Sequence, residues 1–433
     1  MARVSERPSV WRLPGPGPDP VAVLRAVGSG RGRFWLDDAV AGVGVLGWDP
    51  GPALRTLDEL PAPGGRRLPE GARFAGGWVG WLGYEAGRRW EAQPDPCGPT
   101  PLPDLGLRRY DGGLSYGPEG WVAAGSAAFV RDARAVLRRA GPAEARAPVS
   151  ARLVDPGAPD AFLRGVAAVL DHIAAGDCYQ VNLARRLVLE LSGEGLDAYR
   201  QLRAVSPARF GAWIEHEAGQ VLSNSPELFL EVVGREVRSQ PIKGTCGLGR
   251  SVRERLRLAQ ALLDSDKECA ELTMIVDLVR NDLGRVCEPG SIGASPRAVR
   301  VLPTLQHAEQ TVSGRLRTGL GAAELVRAAF PPGSVTGAPK VAAMAHIRAL
   351  EAHPRGVYTG AIGYVDDSGD ARLSVAIRTA TLVQRRAELH VGCGLVADSD
   401  PEAELAESEL KAAAFLGAWT GTAPLPWSEE AAC

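Results

Sequence analysis

A chain of 433 residues with 45% apolar side chains is long enough for roughly two or three domains, or one large compound domain, around a substantial core. Its 49 Lys and Arg balance 51 Asp and Glu to a formal net charge of −2, which offers no basic surface for nucleic acid or an anionic membrane. The seven cysteines form no CxxC pair and no closely spaced framework, which argues against a disulfide scaffold or a structural zinc site and favours a reducing compartment.

The first twenty residues carry charges and prolines without an apolar centre, so they do not read as a signal peptide. No apolar run is long enough to span a bilayer, and the expected location is cytoplasmic. Residues 33–36 and the run GGWVGWLGYEAG at 76–87 read as strands and turns, 91–104 as a Pro-rich loop, and 131–140 as a helix ended by Gly141-Pro142. Residues 141–159 read as a linker, which divides an N-terminal region, 1–145, from a second region, 158–420.

In the second region Asp160 is placed to N-cap a helix that Gly176 stops. Residues 178–189 then alternate, with Tyr179, Val181, Leu183, Leu187 and Leu189 on one face and Gln180, Asn182, Ala184 and Arg186 on the other. Strands are expected at 227–233, 235–241, 357–365, 372–383 and 387–396, and helices at 251–282, 321–329 and 338–351. The last helix has Asp400 as N-cap and Pro401 at its first position. These elements interleave without a βαβ period, which predicts an α+β or mixed α/β fold with a large antiparallel sheet.

Several side chains in this frame could carry chemistry. Glu268 and Glu271 lie three apart beside the apolar stripe of one helix, and Glu404 and Glu407 repeat the spacing on the last helix. Two such pairs could hold a hard divalent cation, although acids near a helix start also complement its dipole. The segment GSVTGAPK, 333–340, lacks the GK[ST] of a phosphate loop and is a turn opening a helix, whose free N–H groups could take a carboxylate or simply be capped. Lys243, His307 and Glu227 each have an ordinary surface or structural reading when taken alone. The glycines of 391–396 (VGCGLV) would let a ligand approach the backbone.

In their order these segments resemble the chorismate-utilising enzymes: the large subunits of anthranilate synthases, aminodeoxychorismate synthases, isochorismate synthases and salicylate synthases. The matching stretches are GDCYQVNLARR (176–186), SNSPELF (223–229), QPIKGT (240–245), KECAELTMIVDLVRNDLGRV (267–286), PPGSVTGAPK (331–340), YTGAIGY (358–364), SVAIRTA (374–380) and GCGLVADSDPEAELAESELKA (392–412). The resemblance covers about residues 160–415, and more weakly the part through GGWVGWLGYEAGRR. It implies a compound α/β domain, two large antiparallel sheets packed as a sandwich with helices outside and the active site in the cleft.

The resemblance also implies roles. Glu271 and Glu407 match Mg²⁺ ligands that grip the ring carboxylate of chorismate, with Glu268 and Glu404 as their supporting partners. Gly244, Thr245, Ser334, Tyr358, Arg378 and the backbone of Gly392, Cys393 and Gly394 match substrate contacts, Arg378 serving the enolpyruvyl carboxylate and Lys411 neighbouring a carboxylate. His307 matches the histidine facing the reacting ring, and Glu227 the acid that protonates the leaving 4-hydroxyl. Two positions discriminate within the family. Isochorismate and salicylate synthases carry a Lys base where this chain has Gln180, and anthranilate synthases read PIAGT where it reads PIKGT. Lys243 in PIKGT is the pattern of aminodeoxychorismate synthases, where the Lys adds to ring C2 before ammonia adds at C4. The expected partner is a glutamine amidotransferase subunit, and the expected product a precursor of p-aminobenzoate and folate. The alternatives are an anthranilate synthase large subunit, an isochorismate- or salicylate-type synthase, and an inactive chorismate-binding assembly subunit. Where anthranilate synthases carry Leu-Glu-Ser for tryptophan, this chain has Leu36-Asp37-Asp38.

Overall fold

The expected alternation of side chains produces long antiparallel strands, and a computed structural model describes them over residues 8–64, 68–91, 98–142, 146–303 and 305–421. Cys97, Cys433 and residues 92–97 of the Pro-rich loop lie outside the described residues. A 12-stranded sheet begins with N-terminal strands such as Ser9–Pro14 and Gly120–Gly125. It passes from Phe34–Asp38 to Phe210–His216 and ends on Arg386–Leu395, Gln180–Ser192 and the short Gly337–Ala338. An 8-stranded sheet contains Leu228–Val233, Ala371–Val375, Ala361–Asp366 and the N-terminal Gly77–Leu82. A third sheet has three strands, Ile242–Cys246, Gln306–Glu309 and Ala298–Val301. Both large sheets therefore draw strands from the N-terminal region and from the second one.

The two large sheets meet face to face. Phe34 and Val45 from the first share a buried cluster with Val79, Trp81 and Ile362 from the second. Helices cover the outer faces. Val136, Leu202 and Phe415 from three helices pack with Leu189 and Leu389 of the larger sheet, and Leu272 and Val326 pack with Leu230 and Leu373 of the smaller. A fully buried aliphatic side chain contributes roughly 1.5–3 kcal/mol, so these interfaces dominate the stability of the frame.

The structure differs from the sequence expectations in five places. The stretch read as a linker contains a strand, Ser150–Asp155, paired with Gln180–Ser192. The helix expected at 251–282 is two, Val252–Asp264 and Asp266–Gly284, joined at Ser265, whose side chain caps the second through the Glu268 N–H. The helix Pro159–Ala175 is entered from Ala158 in the left-handed region at φ 45°, and Asp160 falls in its first turn instead of capping it. The strand expected at 357–365 starts only at Ala361. The strand expected at 372–383 is broken between Val375 and Thr379, with Arg378 left-handed at φ 48°. Asp400 and Pro401 open the last helix, Pro401–Thr420, as the sequence predicts.

Candidate active site

Lys243 owes its direction to a bulge. In the small sheet it pairs with Ala308 while Thr245 pairs with His307, so Gly244 is the extra residue, at φ 69°. A side chain at 244 would be strained and would meet the Glu268 carboxylate, 2.6 Å from an ideal Cβ. Bulges re-aim neighbouring side chains, and Lys243 Nζ comes to 3.5 Å from Glu271 Oε2 with only 13% of its side chain exposed.

The strand Gln180–Ser192 reaches the same point from the larger sheet. Asn182 pairs with Gly394. A Cβ on Gly394 would lie 2.6 Å from the Gln180 amide nitrogen and 2.8 Å from Lys243 Nζ, so these two groups converge over a glycine. The polar face of this strand is as buried as the apolar one. Gln180 is fully buried, and neither its amide oxygen nor its nitrogen has a hydrogen-bond partner in the protein; the Asn182 amide nitrogen is likewise unpaired. An unsatisfied buried polar group costs on the order of 1–3 kcal/mol, a cost that a polar ligand would remove.

Glu227 stands just before the strand Leu228–Val233, within reach of the charge of Lys243. It is buried, and its carboxyl accepts the Ser334 hydroxyl at 2.6 Å from the 3₁₀ turn Gly333–Val335. Burial pushes its pKa up to about 7, opposed by Ser334 and by the nearby positive charge of Lys243. A carboxyl in that range can hold a proton and release it near neutral pH. A small cavity of about 20 Å³, room for little more than one water, lies beside Glu227 and Ser334.

The two acidic pairs are coupled electrostatically, the charge of Glu407 reaching Glu268. Burial first, and then the charge of Glu271, raises the Glu268 pKa, with Glu407 also adding to it. Burial and Glu407 raise that of Glu404, which accepts the Ser399 hydroxyl at 2.6 Å. The half-exposed Glu407 is held ionised, chiefly by Lys411 at 2.6 Å. Carboxylate oxygens are the donors that a hard cation such as Mg²⁺ prefers, and a cation beside these acids would relieve the repulsion that adds to burial in raising Glu268 and Glu404. Sγ of Cys393 lies within 4.8 Å of ligand atoms on Glu404 and Glu407. It is a poor ligand, because burial keeps the thiol protonated and it donates to the Glu404 carbonyl at 3.2 Å.

The remaining expected residues are buried or half-buried. The Cys393 side chain points into the apolar cluster under the helices, so only the backbone of Gly392, Cys393 and Gly394 can serve the cleft. Lys411 Nζ donates to the Gly392 carbonyl at 2.8 Å. The Tyr358 ring stacks on His390 at 5.4 Å. Buried His307 has its pKa lowered by burial, and its Nε2 stands 3.6 Å from Glu309, too far for a hydrogen bond. Burial also lowers the pKa of Arg378, whose positive charge contributes to the lowering at His307. Asp37 is buried, accepting from Tyr116 at 2.6 Å and from Arg203.

Sequence reasoning missed Arg355. It is 2% exposed and ion-paired to Glu351, and it donates to the carbonyls of Asn182 (2.5 Å) and Val335 (3.0 Å) and to the Thr359 hydroxyl (3.1 Å). Its backbone N–H is held by buried Glu85 at 2.8 Å. One guanidinium thus ties together the segments that carry Gln180, Ser334 and Tyr358. Its only signal in the sequence is a charged residue in the loop HPRG, a pattern that ordinarily marks a solvated turn.

Residues 52–417 match the family described as chorismate binding enzyme. The chain is 39% identical over 404 residues, 86% of its own length and 78% of the other, to anthranilate synthase component 1 of Streptomyces coelicolor. It is 37% identical over 341 residues, 77% of its length and 75% of the other, to aminodeoxychorismate synthase component 1 of Salmonella typhimurium. Its fold matches that of anthranilate synthase component I from Streptococcus pneumoniae with a TM-score of 0.75 and 29% identity, covering 96% of this chain and 93% of that one. No helix among the described residues is long and apolar enough to cross a membrane.

Proposed function

The chain belongs to the chorismate-binding enzymes, and from that premise we propose that it is the chorismate-aminating subunit of an aminodeoxychorismate synthase. The observation that carries the reading is the pairing of Lys243 with Gln180 over Gly394. A carboxamide cannot take a proton from water, whereas an amine can add to carbon. The Lys243 amine adds to ring C2 of chorismate, both ring double bonds shift toward C4, and the 4-hydroxyl leaves as water with the proton supplied by Glu227. Ammonia then adds at C4, the double bonds shift back, and the Lys243 amine departs. The product is 4-amino-4-deoxychorismate, a precursor of p-aminobenzoate.

Arg378 and the backbone at 392–394 orient the substrate, and neutral His307 faces the ring. A Mg²⁺ ion held by Glu271 and Glu407, with Glu268 and Glu404 behind them, would supply positive charge for the ring carboxylate. The relatives named component 1 support a partner subunit, and we assign that partner as a glutamine amidotransferase delivering ammonia. Identity to the anthranilate synthase component is equally high, so the discrimination rests on Lys243.

The experiment is intact-mass analysis after incubation with chorismate and Mg²⁺ without ammonia. The wild-type chain is expected to gain a mass that maps to the peptide carrying Lys243, and Lys243→Ala to gain none. The same adduct on both proteins would remove Lys243 as the nucleophile.

A further inference from the structure

A second group of potential ligands lies outside the cleft. The helix Pro159–Ala175 ends at Gly176, φ 84°, and the turn donates the Asp177 N–H back to the His172 carbonyl at 3.0 Å. That reversal brings the Asp177 carboxylate to 2.9 Å from His172 Nδ1. The helix Lys340–Leu350 then places the His346 ring 4.0 Å from the His172 ring, tilted by 37°. One ligand atom from each of the three side chains falls within 4.8 Å of the others. His172 and Asp177 are 41% and 52% exposed, so the group is open to ions in solution.

We propose that His172, Asp177 and His346 form a binding site for a first-row transition metal ion such as Zn²⁺, which staples the two helices together. Imidazole nitrogens with one carboxylate suit Zn²⁺ or Co²⁺ and not Mg²⁺, which prefers oxygen and keeps its water. Metal–ligand bonds of about 2.0–2.2 Å are reached by small side-chain rotations from this arrangement. Two imidazoles so close cannot both carry a proton cheaply, and His346 has its pKa lowered by burial and then by His172, which leaves a free nitrogen for a ligand bond. The exposed His172 and Asp177 keep the site at the surface, and its role is structural. The two helices cover the strand Gln180–Ser192 through Val166, Val169, Ala343 and Ile347. Asp177 is three residues before Gln180, and Ala338, paired with Gln180, leads directly into the second helix. An ion here would fix the end of the strand that carries Gln180.

The test uses the full chain without a polyhistidine tag, stripped by chelator and kept in saturating Mg²⁺ so that the acidic cleft is filled. Zn²⁺ is titrated by calorimetry, and Co²⁺ by its visible absorption. One equivalent is expected to bind and to raise the melting temperature. His172→Ala and His346→Gln, each checked for a native circular dichroism spectrum, are expected to weaken binding by at least about tenfold, while Glu271→Gln leaves it unchanged. Absence of binding to the wild type, or binding to the two His variants as tight as to the wild type, would overturn the proposal.

Discussion

Lys243 Nζ and Glu271 Oε2 stand 3.5 Å apart, so one carboxylate serves both the ammonium group and the acidic cluster behind it. Changing Glu271 or Glu407 to Gln keeps shape and removes one charge from a cluster suited to a cation. If the ion orients the substrate, turnover at saturating Mg²⁺ falls by about a hundredfold or more in each variant. Steady-state rates across a Mg²⁺ titration check this, and near-normal rates for both variants would end the assignment.

Glu227 makes the reaction pH-dependent. Its carboxyl titrates near pH 7 in the folded protein, so the acid is present below that value and is lost above it. The kcat profile is expected to fall on the alkaline side with a midpoint near 7, and Glu227→Gln to remove that limb along with most of the activity. The same group bears on stability. Its folded pKa lies above the ordinary 4.5, so the folded state binds the proton more tightly. The stabilisation is complete below about pH 4.5 and is lost as pH rises through about 7. Urea unfolding of wild type and Glu227→Gln over this range reads the difference.

Gln180 sets which nucleophile the site accepts. A Lys at 180 would put a base where water can be activated. Gln180→Lys combined with Lys243→Ala is expected to form isochorismate without ammonia, detected by liquid chromatography. A folded, chorismate-binding variant that yields no new product counts against this role.

Arg355 positions the site from beneath. Removing one partner of a buried ion pair costs roughly 3–5 kcal/mol, so Arg355→Ala should unfold at markedly lower urea. Arg355→Lys restores charge but not the fork that reaches both Asn182 and Val335. It should regain part of the stability while kcat stays low and KM changes little. Full recovery of kcat in Arg355→Lys would make the residue a structural one only.

Much of this was legible in the sequence because the chemistry is local. PIKGT carries both the lysine and the bulge glycine, and each Glu pair shares one helix. The breaks were less visible. Ser265 looks like one more helical residue until its hydroxyl is seen capping the next helix, and the turn at Arg378 lies inside a run of strand formers. The strand Ser150–Asp155 is largely exposed and so lacks an apolar alternation. Arg355 reaches Asn182 from 173 residues away, and His346 is 174 positions from His172; no spacing rule connects such pairs. Gln180 was read as lying on a polar face, yet both faces of its strand are covered, and only the structure shows that its amide is buried and unpaired.

The most direct measurement is the product itself. The purified chain is incubated with chorismate, Mg²⁺ and an ammonium salt, and the product is identified by mass and by fluorescence. The account predicts 4-amino-4-deoxychorismate from the wild type and none from Lys243→Ala. Anthranilate as the main product, or isochorismate formed without ammonia, would contradict it.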